Sequence, residues 1–473
     1  MTSPLSSSAS SRVEDAVREV LPGVRADLEA LVRIPSVSAT SPDEVRRSAD
    51  AVVELLRSAG LPDVVVLSSA RPDGSPGMPA VVGRRPAPAG APTVLLYAHH
   101  DVQPPGTPEG WASPAFEPTE RDGRLFARGA ADDKAGVLVH VGALRALLPA
   151  WGPQDGVGVV VFVEGEEEVG SPSFSAFLAE HREALAGGAG SAGPDVVVVA
   201  DSDNWSVDTP SLTTSLRGLV DATVTVRTLD HAVHSGMYGG PALDATTALV
   251  RLLDRLRDAD GAIAVPGLRP TDGPEPTGLP EVTEERFRAD AGVLDGVQLL
   301  GSGPLAQRLW HRAALTVIGV DVTPIERASN TLAASARARL SLRVPPGLAP
   351  EAAFGLLRDH LLATAPHGAH VEVELDESGQ PFAGDVDGPV YDAARAALAR
   401  AWGLASADDV VHAGVGGSIP FIAELVEAFP AATVLVTGVE DPDTRAHGHD
   451  ESLSLAVFER ALLAEALLLD SLA

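Results

Sequence analysis

The chain of 473 residues contains no cysteine and has few basic residues. Without thiols there can be no disulfides and no thiolate metal ligands, so any metal site must use imidazole nitrogen and carboxylate oxygen. Lysine and arginine together number 35 against 65 acidic residues, which gives a formal net charge of −30. Nucleic acids and anionic membranes require a basic face on their partner, so the charge argues against both.

Long hydrophobic runs are also missing. No stretch reaches the length of a membrane span, and residues 1–17 lack the apolar core of a signal peptide. We therefore expect a cytoplasmic protein. The 45% hydrophobic fraction is typical of a globular chain. Because 473 residues exceed one ordinary core, two domains are expected.

The first part of the chain alternates helical spacing with continuous apolar runs. The periodicity predicts helices over residues 13–34, 42–58 and 132–149, and strands near residue 81 and over 93–101, 156–168 and 194–203. Because these strand-like runs are rich in valine and do not alternate with polar residues, they indicate strands that are buried on both faces. The sequence therefore predicts an α/β domain with a mainly parallel central sheet flanked by helices.

A different pattern begins near residue 219. Strands of alternating polarity are predicted over 219–228, 333–344 and 370–377, with helices over 241–258 and 349–365. Such strands bury one face only, which favours a small α+β sandwich. The buried pattern returns near residue 390. We therefore predict a first domain in two parts, 1–213 and 391–473, and an inserted domain over 214–390.

Imidazole and carboxylate side chains stand where the apolar runs end. The candidate metal ligands are His99, Asp132, Glu168, Asp201 and His447. Asp101 and Glu167 lie one or two residues from a candidate ligand. Because the carboxyl ends of parallel strands meet at one edge of a sheet, these side chains are expected to converge. One bridging acid, two imidazoles, two further acids and a free carboxylate are the set that a two-metal hydrolase needs.

Several of these positions also have a plain structural explanation. His99 and Asp101 could form an ordinary turn after a strand, with His100 pointing to the other side. Asp132 or the following Asp133 could cap a helix. Asp132 is the acid that could bridge two cations.

Similar alternatives exist for the remaining acids and imidazoles. Lys134, the only lysine, is expected to be solvated or to pair with the acid cluster. The run 166–168 could be a solvated charge run. Asp203 competes with Asp201 as a ligand, and His449 competes with His447. Taken together, four apolar strands that end in such residues form a strong joint signal.

Two segments of the inserted domain carry further candidates. His234 lies in a glycine-rich turn over 234–240, where it is either a donor to a substrate or a loop residue. Arg343 lies on a long alternating strand. It could bind a substrate carboxylate with two hydrogen bonds or pair with a surface acid.

Eight motifs, in order along the chain, resemble those of the di-zinc aminoacylase and carnosine-dipeptidase family of metallopeptidases, in its dipeptidase branch. They are YAHHDVQP at 97–104, RGAADDK at 128–134, EGEEEVGSP at 164–172, SLRGLV at 215–220, HSGMYGG at 234–240, SLRVPP at 341–346, GGSIP at 416–420 and AHGHDE at 446–451. The resemblance extends from about residue 15 to the end. It implies a catalytic α/β domain with an inserted lid domain that forms a homodimer.

The resemblance also implies a role for each candidate in a site with two zinc ions per subunit, for which manganese or cobalt are possible substitutes. The implied ligand sets are His99, Asp132 and Asp201 for one ion, and Asp132, Glu168 and His447 for the other. Glu167 would be the general base, and Asp101 would support His99.

Residues of the inserted domain and of the GGSIP motif would bind the substrate. His234 would act in the active site of the partner subunit and stabilise the oxyanion. Arg343, with Gly417 and Ser418, would hold a free carboxylate. The chain departs from the family pattern at Ala135 and over 448–451, and the resemblance assigns no role to Asn330.

The predicted function is hydrolysis of the amide bond of dipeptides or short peptides with a free C-terminal carboxylate, with a water activated by Glu167. One alternative is a deacylase of N-acyl amino acids from the same family. Another is a dimeric homologue that has lost catalysis.

Overall fold

The structure, a computed structural model, describes residues 7–152, 154–188, 191–269, 279–417 and 420–473. The chain divides into two compact units. The first consists of Met1–Thr214, Gly384–Ala413 and Glu424–Ala473, and the second of Ser215–Ala383 and Gly414–Ala423. The predicted inserted domain covered 214–390 and did not include the short Gly414–Ala423 segment.

A six-stranded sheet forms the centre of the first unit. In spatial order its strands are Asp63–Leu67, Ala80–Arg85, Gly158–Glu164, Thr93–His99, Val196–Val199 and Thr433–Val436. The last four strands are mutually parallel, and the first two pair antiparallel. Every residue of Gly158–Glu164 is buried, as expected for a strand with both faces covered. The predicted α/β fold with a mainly parallel sheet is confirmed.

Helices and one small sheet complete this unit. The helices are Ser7–Val32, Pro42–Ser58, Lys134–Leu147, Phe174–Leu185, Pro389–Trp402 and Leu455–Leu472. The small sheet contains Thr119–Arg121, Arg124–Phe126 and Ser452–Ser454. Among the described helices, none is both long and apolar enough to span a membrane.

The second unit contains a four-stranded antiparallel sheet. Its strands, in spatial order, are Ala314–Asp321, Ser335–Val344, Gly218–Arg227 and His370–Gly379. Helices Ala245–Asp254 and Pro350–Ala363 pack on this sheet. Burial alternates along Ser335–Val344, because one face of the strand meets these helices and the other does not.

Shorter elements complete the second unit, and others lie where the chain passes from one unit to the other. Helices Ser235–Tyr238 and Glu284–Ala291 and the paired strands Val233–His234 and Thr331–Leu332 belong to the second unit. Strands Ser211–Leu216, Phe382–Ala383 and Val411–Val415 and helix Pro420–Ala428 contain or adjoin the points where the chain passes from one unit to the other.

Candidate metal centre

His99 is the last residue of the buried strand Thr93–His99, and its two ring nitrogens face different acids. Nε2 lies 3.1 Å from Asp132 Oδ1 and 3.9 Å from Asp201 Oδ1. Nδ1 lies 3.1 Å from the carbonyl oxygen of Asp101 and 3.4 Å from its Oδ1. Holding one nitrogen of an imidazole with an acceptor fixes the ring so that the other nitrogen can act as a ligand. Nε2 is therefore the atom of His99 that is available to a cation.

Asp101 connects this imidazole to the acidic turn Glu167–Val169. Its carboxylate is buried and accepts hydrogen bonds from the backbone N–H groups of Glu167, at 3.2 Å, and Glu168, at 3.1 Å. The same side chain thus positions His99 and the backbone that carries two of the candidate acids. The supporting role predicted for Asp101 stays a prediction, and these contacts are consistent with it.

Asp132 lies between the two candidate imidazoles. While its Oδ1 faces His99, its Oδ2 lies 3.0 Å from His447 Nε2. The same nitrogen of His447 lies 3.2 Å from Glu168 Oε2. Two groups of donor atoms result, with all atoms of a group within 4.8 Å of one another: His99, Asp132 and Asp201, and Asp132, Glu168 and His447. The structure brings the five predicted ligands together, with Asp132 common to both groups.

The pKa values of the side chains in this cluster are shifted strongly from their usual values. Burial alone would raise the pKa of Asp132, but hydrogen bonds with His447 and His99 hold it well below its usual range. Hydrogen bonds to Asp132 and Glu168 raise the pKa of His447 to about 10. Burial raises the pKa of Asp201 to about 7 and that of Glu167 well above its usual range. Buried carboxylates in mutual contact are costly unless positive charge neutralises them, so this donor set fits divalent cations.

The three consecutive glutamates have separate surroundings. Glu166 is buried, and its carboxylate accepts hydrogen bonds from Arg71 Nε and Nη2 and from the backbone N–H groups of Met78 and Ser173, at 2.8–3.0 Å. Glu168 Oε1 accepts one from Gln103 N at 3.0 Å. The alternative of a solvated charge run is therefore wrong. Glu166 anchors the turn, a role that its position in a run of identical residues did not reveal.

Two expectations for the neighbouring 128–134 motif are also wrong. Asp133 stands at the N-cap position of helix Lys134–Leu147 but makes no capping hydrogen bond; its Oδ2 accepts one from the backbone N–H of His99 at 3.1 Å. Lys134 is buried rather than solvated. Its Nζ donates to the carbonyl oxygens of Leu31, in the last turn of helix Ser7–Val32, and of Ile34, two residues beyond that helix, at 3.1 and 2.6 Å.

The competing imidazoles and acids lie outside the two donor groups. His100 is buried, its Nε2 contacts the carbonyl oxygen of Pro79 at 3.0 Å, and burial lowers its pKa to about 4, so the ring is neutral. His449 packs edge-on against Trp111, with ring centroids 6.3 Å apart. Asp203 is exposed.

The substrate-binding candidates of the second unit are described within that unit. His234 is exposed, and its Nδ1 accepts a hydrogen bond from Gly236 N at 3.0 Å. The carbonyl oxygen of Asn330 accepts a hydrogen bond from Ser235 N at 2.9 Å. The side-chain role of Asn330 stays open.

A second arginine accompanies Arg343 in this unit. The side chain of Arg217 donates to the carbonyl oxygens of Gly416, at 3.1 Å, and Arg312, at 3.3 Å. Burial, with a smaller contribution from the like charge of Arg343, lowers the pKa of Arg217 to about 10. Arg217 thereby holds the backbone next to Gly417, whereas Ser418 lies outside the described residues. In the sequence, Arg217 stands out only as part of the SLRGLV motif at 215–220.

Comparison with known proteins identifies the family of this chain. The model of peptidase family M20/M25/M40 matches residues 95–471. The chain is 39% identical to the cysteinylglycine-S-conjugate dipeptidase of Corynebacterium striatum over 82% of each chain, and 27% identical to the β-Ala-His dipeptidase of Rattus norvegicus over 82% of this chain and 79% of that one. The protein belongs to peptidase family M20/M25/M40, a family of metal-dependent hydrolases. The family resemblance predicted from the eight motifs is thus confirmed.

Solved structures show the same fold. The dipeptidase Dug1p of Saccharomyces cerevisiae superposes with a TM-score of 0.78 at 23% identity and 99% coverage of both chains. Human carnosine dipeptidase 1 gives a TM-score of 0.75 at 23% identity, covering 99% of this chain and 100% of that one.

Proposed function

We propose that this protein is a dipeptidase that hydrolyses the amide bond of dipeptides or short peptides with a free C-terminal carboxylate. The observation that carries the proposal is the position of Asp132, whose two carboxylate oxygens face two imidazoles, with the half-buried carboxylate of Glu167 nearby. The names of the curated relatives, which are dipeptidases, favour this activity over the deacylase alternative. Dipeptides are therefore the proposed class of substrate.

Two zinc ions per subunit are the proposed cofactor, with manganese or cobalt as substitutes. His99, Asp132 and Asp201 would hold one, and Asp132, Glu168 and His447 the other. When bound, such cations lower the pKa of a water molecule and polarise a substrate carbonyl. Imidazole nitrogen and carboxylate oxygen are both ordinary zinc ligands, and they are the donors that a chain without cysteine can offer.

Glu167 is the proposed general base. Its carboxylate is in neither donor group and lies near His99, Asp201 and Glu168, so it is available to accept a proton beside the proposed cations. Its carboxylate would take the proton from the attacking water and return it to the leaving amine. The hydrogen bond from the Glu167 N–H to Asp101 fixes the backbone from which this side chain extends.

The second unit would supply the substrate contacts. His234 would stabilise the oxyanion in the active site of a partner subunit, and Arg343, with Gly417 and Ser418, would bind the substrate carboxylate. A homodimer is supported by strand Ala314–Asp321, which forms an edge of its sheet.

This edge strand exposes an unusual amount of apolar surface. Val317, Ile318 and Val320 are 43, 51 and 55% exposed. An unprotected edge of this kind offers both backbone hydrogen bonds and apolar side chains to another chain. A second copy of the protein, related by two-fold symmetry, would cover it.

The test is a joint measurement of metal content and substrate preference. Protein loaded with zinc is expected to bind two ions per chain and to hydrolyse Cys-Gly or β-Ala-His faster than N-acetyl or N-succinyl amino acids. Asp132→Asn, which removes a ligand from both groups, is expected to lose metal and activity together. Faster turnover of the N-acyl amino acids would establish the deacylase instead, and a wild-type chain that binds no cation would contradict both.

A further inference from the structure

Arg128 and Glu451 form a buried ion pair beside the candidate metal centre. The side chains of Arg128 and Glu451 are 2 and 0% exposed, and Arg128 Nη1 lies 2.6 Å from Glu451 Oε2. Arg128 precedes Asp132 by four residues, and Glu451 follows His447 by four. Each partner of the pair therefore belongs to a segment that carries one candidate ligand.

The carboxylate of Glu451 binds the backbone that leads to Asp132. Oε2 accepts a hydrogen bond from Gly129 N at 3.1 Å, and Oε1 accepts from Ala131 N at 3.1 Å and from Asp132 N at 3.3 Å. With the guanidinium of Arg128, four donors converge on one carboxylate. Breaking a buried pair of this kind leaves an uncompensated charge, so the arrangement fixes the path of residues 128–132.

The guanidinium of Arg128 also donates hydrogen bonds to the backbone of two other segments. Nη2 donates to the carbonyl oxygen of Gly448 at 3.0 Å and to that of Pro104 at 3.4 Å. Gly448 follows His447 directly, and Pro104 lies five residues after His99. The pair thus touches the three segments that carry His99, Asp132 and His447.

The segment around His447 needs such support. His447 has a φ of +61° and Arg445 a φ of +58°, in the left-handed region that non-glycine residues rarely adopt. A backbone of this kind persists only where its surroundings hold it. The contact between Arg128 and Gly448 O lies immediately beside the strained residue.

We propose that the Arg128–Glu451 pair is a positioning element that sets the separation of Asp132 and His447 and thereby the affinity of the cation they share. This inference rests on the proposed metal-binding function of the centre. Neither side chain of the pair is proposed as a ligand. Their effect is exerted through the backbone of residues 128–132 and 447–451.

The experiment compares Glu451→Gln with the wild-type protein by zinc titration of the metal-free chain and by the absorption spectrum of the cobalt-loaded chain. The amide keeps the size of the side chain. However, its NH₂ group cannot accept the hydrogen bonds that the wild-type carboxylate accepts from Arg128 and from the backbone of residues 129–132. Loss of such outer contacts typically weakens metal affinity by roughly 10- to 100-fold. We expect a loss of that size at the site formed by Asp132, Glu168 and His447, together with a changed cobalt spectrum.

Two further variants separate positioning from a general loss of stability. Glu465→Gln makes the same chemical change in another buried pair of the first unit, in which Glu465 Oε2 lies 2.9 Å from His140 Nδ1, and it is expected to leave metal affinity unchanged. Arg128→Lys keeps the positive charge but removes the forked contacts with Gly448 O and Pro104 O. It is expected to weaken the same site, and it provides a second test if Glu451→Gln folds poorly.

The outcomes distinguish this inference from the function on which it rests. Suppose that wild-type protein binds two zinc ions, and that Glu451→Gln and Arg128→Lys bind them with wild-type affinity and an unchanged cobalt spectrum. The positioning role is then wrong while the proposed function stands. A loss of affinity no larger than that of Glu465→Gln also overturns it. A wild-type chain without bound cations overturns both.

Discussion

The two units present their candidate functional residues in opposite ways. In the first unit, His99, Asp132 and Asp201 follow or adjoin strands of a sheet whose faces are covered, and their charges are buried against one another. In the second unit, His234 is exposed on a short strand, and apolar side chains line an open sheet edge. The donor atoms of the first unit lie close together within one chain. The exposed side chains of the second unit are instead available to a substrate or to another chain.

The two units therefore call for different measurements. Residues of the first unit are expected to control metal content or the proton on water, because their partners are in the same unit. Residues of the second unit are expected to change turnover or assembly while metal content stays constant. Metal content and turnover therefore need to be measured separately for each variant.

The largest expected effect is that of Glu167→Gln. The amide cannot accept the proton of water, so kcat is expected to fall by roughly 10²- to 10⁴-fold while metal content stays at the wild-type level. Turnover of Cys-Gly and elemental analysis of the same sample provide the measurement. Glu109→Gln, an exposed acid of the same unit, is the control. Near-normal turnover of Glu167→Gln would remove this residue from the role of base.

His234→Ala is expected to have the next largest effect. Removing a donor to a developing oxyanion typically costs roughly 10²- to 10³-fold in kcat, and no metal should be lost, because His234 is in neither donor group. Lost metal together with lost turnover would contradict the division between the two units.

Mixing the two inactive variants tests whether His234 acts in the partner subunit. In a heterodimer of Glu167→Gln and His234→Ala, one site would combine an intact Glu167 with an intact His234. With random assortment of a two-fold dimer, about a quarter of the wild-type activity is expected to return. If the mixture stays inactive after subunit exchange has been verified, His234 does not act in trans.

A smaller but specific effect is expected for Ile318→Asp on the exposed edge strand. A charge here would have to be buried in the proposed dimer, so the protein is expected to become monomeric in light scattering while its metal content stays constant. Asp359→Asn, on the exposed surface of the same unit, is the control. A dimer that survives Ile318→Asp would place the interface elsewhere.

Much of the first unit could be predicted from the sequence, because two local patterns encode it. Continuous valine-rich runs indicate buried parallel strands, and the acid or imidazole that ends each run lies at one edge of the sheet. The separate surroundings of Glu166 and Glu168 could not be predicted in this way. They depend on Arg71, Met78 and Gln103, which are distant in sequence.

The same limit explains the error over Lys134 and the unnoticed pair of Arg128 and Glu451. A lysine beside two aspartates indicates a salt bridge, yet its Nζ binds the carbonyl groups at the end of a helix about a hundred residues earlier in the chain. The ion pair spans 323 residues. Local periodicity contains no information about such contacts, and only the closed fold reveals them.

The smallest expected effect concerns stability rather than catalysis and compares ion pairs of the two units. Glu465 and His140 are buried, so Glu465→Gln is expected to cost roughly 1–3 kcal/mol of unfolding free energy. In the second unit, Glu284→Gln breaks the exposed helical pair with Arg288, whose Nε lies 2.7 Å from Glu284 Oε1, and is expected to cost less than about 0.5 kcal/mol.

The buried pair also predicts a pH dependence of stability. Burial alone would lower the pKa of His140, but the charge of Glu465 and the hydrogen bonds to Glu465 and the Tyr97 carbonyl raise it. Because the folded pKa exceeds the unfolded value of about 6.5, the stabilisation is complete below that pH and is lost as the pH rises through the folded pKa. Urea unfolding at about pH 6 and about pH 9 should therefore show a larger difference between Glu465→Gln and wild type at the lower pH. An equal difference at both would mean that His140 is neutral in the folded protein and that the pair contributes only a neutral hydrogen bond.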